Sequence, residues 1–178
     1  IIGTIHFNTT PHEELIAEVS RHQPDQVLIE LSPNEVVAGK AESIRDEMFA
    51  VLEWCKREGV PYNVFDVELD TLKPGVTGQE PEFLAAEEEV KALLLKGYDW
   101  KALNDERRWA QGEVKELNDA IVKKYFDPEK MQERNRLLER NIETALIEGI
   151  NVIVTGSAHI PDLLKAFPEA EAPLVKSV

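Results

Sequence analysis

The chain has 178 residues and is 43% hydrophobic, enough for one domain, taken as residues 1–178, with a real core. Its 34 acidic residues against 20 basic ones leave a formal charge of −14, and such a surface repels phosphate backbones, which argues against nucleic acid and anionic membranes as partners. A lone Cys55 forms no internal disulfide, and no apolar run reaches the length of a membrane span or resembles a signal peptide, so a reducing, cytoplasmic location is expected.

"IIGTI" reads as a buried strand; because it opens on Ile1 rather than Met, loss of a short leader or trimming is expected. "PHEELIAEVSRH" follows as a helix, with Pro11 in its first turn and Leu15, Ile16 and Val19 on one face. "DQVLIEL" is a second strand. A long helix is predicted from about Asn34 to Lys56, with Met48, Phe49, Leu52 and Cys55 inward and Gly59 as its stop. "VPYNVFDV" is a third strand. No strand signal follows over about 80–127, where Phe83, Ala86, Val90 and Leu93 mark one helix and Ala110, Val114, Leu117, Ile121 and Tyr125 another. Asp127-Pro128-Glu129 is a cap, a first-turn Pro and a first-turn acid, opening a helix to about Glu148. "NVIVTG" is a fourth strand, "IPDLLKAF" a short helix, and "APLVKSV" one more candidate strand. Strands alternating with helices imply an α/β fold. Its sheet is mainly parallel with helices on both faces, and a helical insertion separates the third and fourth strands.

Gly-x-x-His occurs twice, as "GTIH" at Gly3–His6 and "GSAH" at Gly156–His159, each where a strand should stop. With Glu30 and Asp66 closing the second and third strands, two imidazoles and two carboxylates are delivered to one edge of a parallel sheet, where ligands bind. Gly3 and Gly156 let the backbone come close there. Two His and a carboxylate suit an open first shell for a divalent metal, which would make a nucleophilic hydroxide near neutral pH. Taken singly, a strand-end acid more often caps a helix and a strand-end His more often bonds locally; the coincidence of four favours chemistry. On the helix before the last strand, Leu138, Ile142 and Ala145 or Leu146 form the inward stripe, with Asn141 beside it. Arg140 is a candidate for bidentate oxyanion binding, or a salt bridge to one of the many Glu residues. The cluster of Arg134, Arg136 and Arg140 favours a local anionic target. HExxH, Walker, GxGxxG and GxSxG motifs are all absent from the sequence.

With these residues assembled, the chain resembles the TraB/PrgY/GumN family, which includes the Tiki proteases. The resemblance rests on the paired Gly-x-x-His motifs, "VLIEL" with Glu30, "LLERN" with Arg140 and Asn141, and "GVPYNVFDVELDTLK" with Asp66. It covers roughly residues 1–75 and 128–167. The family's Arg after Glu-Leu is missing from "SPNEVV", Val67 stands where an Arg commonly follows the third-strand Asp, and Ile160-Pro161-Asp162 follows the second His where Gly is usual. The resemblance implies a fold related to the erythromycin-esterase and ChaN-like group, and metal-dependent peptidase activity. On that basis His6 and His159 would hold Mn, Co or Zn, Glu30 would be a third ligand or general base, Arg140 and Asn141 would support the transition state, and Asp66 would orient a His. The substrate expected is a peptide or small molecule. Two other expectations stand beside this one: a non-catalytic module that captures a peptide or a haem, and self-association through the helical insertion.

Overall fold

The β-branched runs form four strands in the computed structural model, which describes residues 1–6, 10–39, 45–96, 100–104 and 112–174. They are β1 (Ile2–Thr4), β2 (Gln26–Ile29), β3 (Tyr62–Val64) and β4 (Asn151–Gly156). All pair in parallel, in the spatial order β1-β4-β2-β3, so the last strand of the sequence lies inside the sheet. Helices α1 (His12–Arg21), α2 (Pro33–Ala38) and α3 (Asp46–Glu58) connect the first three strands. Between β3 and β4 come α4 (Pro81–Leu95), a 3-10 turn (Trp100–Asn104), α5 (Gly112–Tyr125) and α6 (Pro128–Ala145); α7 (Ile160–Ala166) follows β4.

Strand alternation sends side chains to two buried faces. Ile2, Val27, Ile29, Val152 and Val154 pack with Leu15 and Val19 of α1 and Met48, Leu52 and Cys55 of α3. Leu28 and Ile153 point the other way, onto Leu138 and Ile142 of α6 and Ile160 and Leu163 of α7. Helices therefore cover both faces of the sheet. The insertion has its own apolar centre, where Phe83 of α4 meets Tyr125 of α5 edge to face at 5.0 Å. Ala110, expected on that stripe, lies outside the described residues.

Two expectations are corrected. The helix predicted from Asn34 to Lys56 is two helices. Ser32 and Glu35 close a capping box at the start of α2, and Gly39 at φ +87° ends it, a backbone angle that side chains rarely accept. Asp46 and Glu47 then give α3 an acidic first turn, which its N-terminal dipole favours. The strand expected at "APLVKSV" is not formed by its described part: Pro173 and Leu174 lie in a turn, and residues 175–178 are outside the described residues. The open edge of β1 is closed by a side chain instead. Asn104, fully buried, accepts from the Gly3 amide at 2.6 Å and donates to the Gly3 carbonyl at 2.9 Å. Among the described residues no helix is long and apolar enough to cross a membrane.

Candidate functional site

The two Gly-x-x-His segments end adjacent parallel strands, with Gly3 opposite Thr155 and Thr4 opposite Gly156. Each glycine makes room for the other segment. A Cβ on Gly3 would stand 2.8 Å from the Ser157 Cα and 2.5 Å from Ile160, and a Cβ on Gly156 would stand 3.2 Å from Nε2 of His6 and 3.6 Å from Glu30. The interlock seats His6 against the end of β4. On its other side the imidazole Nδ1–H donates to Oε1 of Glu47 at 2.6 Å, and Thr4 Oγ1 donates to the same oxygen at 3.2 Å. A carboxylate only accepts, so this contact fixes the proton on Nδ1 and leaves Nε2 as the basic nitrogen, on the cavity side.

Glu30 follows β2 directly and is 1% exposed. Its Oε2 accepts from Thr155 Oγ1 at 2.5 Å and from the Gly156 amide at 2.7 Å. Its Oε1 lies 3.5 Å from Nε2 of His159 and 3.4 Å from the Arg134 guanidinium. Burial alone would raise this carboxyl; His159, then Arg45 and His6, outweigh burial and hold it well below the usual carboxylate range. His159 shows the reciprocal effect. Burial works to lower it, but the Glu30 charge and hydrogen bond dominate and raise it above the ordinary imidazole value. Glu30 is thus kept ionised and His159 is biased toward the imidazolium.

Asp66 occupies the matching position after β3 and is clamped by two arginines. Arg45 donates to Oδ2 at 2.6 Å and to the Glu30 carbonyl at 3.0 Å; Arg134 and the Val67 amide each donate to Oδ1 at 2.7 Å. The role expected for Asp66, orienting a histidine, is therefore corrected: among the described residues its hydrogen bonds go to arginines and a backbone amide.

Arg140 and Asn141 do not reach this cluster. The Arg140 side chain is exposed, and Asn141 donates to the Phe65 carbonyl at 3.0 Å, tethering α6 to the turn that carries Asp66. Helical phase explains the shift. Arg134, Leu138 and Ile142 fall at i, i+4 and i+8 on the inward stripe, whereas Arg140 turns to solvent. Extending the stripe one turn toward the N-terminus would have found Arg134. Glu47 carried a similar signal, since Val51 and Trp54 repeat its phase on the buried side of α3. Nothing in the sequence linked Arg45 to Asp66.

These groups form the floor of a cavity of about 1020 Å³. One wall comes from the insertion, through Val90 of α4 and Ile121 and Val122 of α5, continued by Phe126 and by Met131 of α6. A divalent ion held jointly by His6, Glu30 and His159 does not fit this arrangement. Glu30 Oε2 is committed to Thr155 and Gly156, and the Arg134 guanidinium lies against both Glu30 Oε1 and His159 Nε2. Among the described residues no group of three His, Cys, Asp or Glu side chains is set to hold a metal.

Fold and cluster together define an α/β protein with a charge-paired cavity at the carboxyl edge of a four-stranded parallel sheet. No protein-family model, curated protein or solved structure matches the chain.

Proposed function

We propose that the protein is a hydrolase of amide or ester bonds, with peptides the foremost substrates, acting at the carboxyl edge of its sheet. The observation that carries this reading is the pairing of two imidazoles with different carboxylates in one cavity: His6 with Glu47, and His159 with Glu30. Such a pair divides general base from general acid. A water attacks the carbonyl carbon while passing a proton to His6 Nε2, and the carbonyl electron pair moves to oxygen. The Arg134 guanidinium stabilises that oxyanion. His159 then protonates the leaving nitrogen or oxygen as its bond to carbon breaks, and proton exchange with solvent resets both rings. Glu30 stays ionised throughout and keeps His159 charged. The Gly-x-x-His motifs behind the resemblance to the TraB family supply both imidazoles.

The test is turnover of chromogenic peptide amides and carboxylic esters in the presence of a chelator. Hydrolysis that survives chelation and is lost in both His6→Ala and His159→Ala is expected. A folded protein that binds these compounds and turns over none would overturn the reading. A metal-dependent version is the second reading, favoured by the Glu47–His6 contact, because a carboxylate on Nδ1 is the usual support of a metal-bound imidazole. It requires the Arg134 side chain to leave. Stoichiometric Mn, Co or Zn in the untreated protein, lost in the same two variants, with turnover abolished by the chelator, would establish it in place of the acid–base form.

A further inference from the structure

We infer that Glu47 is a positioning residue for His6: it holds the imidazole as the Nδ1–H tautomer and balances the positive charge that forms on the ring when Nε2 takes a proton. This rests on the hydrolase reading above, in which His6 is the base.

Three observations carry it. The 2.6 Å contact between Nδ1 and Oε1 leaves no choice of tautomer, since a carboxylate has no proton to give. Thr4 Oγ1 donates to the same Oε1 at 3.2 Å, so the carboxylate is fixed from the strand as well as from the ring. Finally, Glu47 is fully buried, and its Oε2 has no hydrogen-bond partner among the described residues. An orphaned oxygen of this kind is costly, and a neutral side chain would fill the position at less cost. A negative charge is useful there only beside a positive one, and the group able to gain that charge in place is His6.

In the reaction the water O–H bond breaks toward His6 Nε2 while the water oxygen bonds to the carbonyl carbon. The proton on Nδ1 stays on Nδ1, and Glu47 remains a carboxylate. In Glu47→Leu the acceptor facing Nδ1 is gone, so the ring populates the Nε2–H tautomer, in which Nε2 has no lone pair to offer; the amide oxygen of Glu47→Gln can still accept from Nδ1–H and from Thr4 and keeps the proton on Nδ1.

The experiment joins ¹⁵N spectra of the histidine rings with kinetics for wild type, Glu47→Leu, Glu47→Gln, His6→Ala and the double variant Glu47→Leu/His6→Ala. Wild type and Glu47→Gln should show His6 protonated on Nδ1, and Glu47→Leu should populate the Nε2–H form. In Glu47→Leu kcat should fall on the order of 10³- to 10⁴-fold with KM nearly constant, the size of loss that a wrong tautomer causes. Glu47→Gln should recover part of it, and the double variant should be no slower than His6→Ala alone. An unchanged tautomer in Glu47→Leu, or losses that multiply in the double variant, overturns the assignment. Should Glu47→Leu fail to fold, Glu47→Ala removes the same acceptor and gives the same spectroscopic and kinetic comparison. Absence of wild-type turnover removes the hydrolase reading alone, because the ring spectra still decide what Glu47 does.

Discussion

At the scale of single residues, the two motif glycines predict opposite outcomes. A methyl group on Gly3 runs into the backbone of Ser157, which cannot move without breaking the β1–β4 register; Gly3→Ala should lose about 1–3 kcal/mol in urea denaturation. On Gly156 the methyl group crowds the tip of His6, a side-chain end, and meets Glu30 Oε2 at ordinary contact distance. Gly156→Ala should therefore fold nearly as well as wild type, while hydrolysis drops on the order of tenfold to a hundredfold through misplacement of the base. Equal losses of stability in both would contradict the interlock. The Glu30–His159 pair makes a prediction about pH. Glu30 is depressed in the folded state, so its contribution is present above its ordinary value of 4.5 and fades as pH falls through the lower folded value. His159 is raised, so its contribution is complete below 6.5 and fades as pH rises through the higher folded value. The stability advantage of wild type over His159→Gln should accordingly be greatest between pH 4.5 and 6.5 and shrink on the alkaline side. Denaturation midpoints measured from that plateau up to well above pH 6.5 decide it, and a difference that stays undiminished on the alkaline side would speak against the pair.

At the scale of elements, α6 shows what a side-chain stripe decides. Leu138 and Ile142 anchor this helix on the sheet, and the same stripe delivers Arg134 to Asp66 one turn earlier. Ile142→Ala should cost about 2–5 kcal/mol, as emptied core positions do, and thermal denaturation gives the direct measure. Its neighbour Arg140, exposed on the same helix, should tolerate alanine with little change. The sequence revealed the strands, the parallel arrangement and the edge where His6, Glu30, Asp66 and His159 gather, because β-branched runs and strand ends are local signals. It misjudged Arg140 because a two-residue motif says nothing of helical phase. It missed the break at Gly39, since Met48, Phe49, Leu52 and Cys55 keep a helical period that does not show where the helix begins. The Arg45–Asp66 and Glu47–His6 contacts stayed hidden for a different reason: they join residues 21 and 41 positions apart that only the tertiary fold brings together.

At the scale of the whole molecule, the working parts come from both faces and nearly the full length of the chain. α3 supplies Arg45 at its start and Glu47 from one layer, α6 supplies Arg134 from the other, and α4 and α5 wall the cavity above. The strand order carries a further consequence. β4 sits between β1 and β2 although it is synthesised long after both. Until it emerges from the ribosome, those earlier segments have no common neighbour, and Glu30 lacks the Thr155 hydroxyl and Gly156 amide that stabilise its charge. A chain stopped at residue 148 should show no cooperative melting and no near-ultraviolet circular dichroism, and supplying the missing C-terminal segment as a peptide should restore both. Production of the native state then depends on one late insertion, so the nascent polypeptide must stay shielded from aggregation until β4 is made.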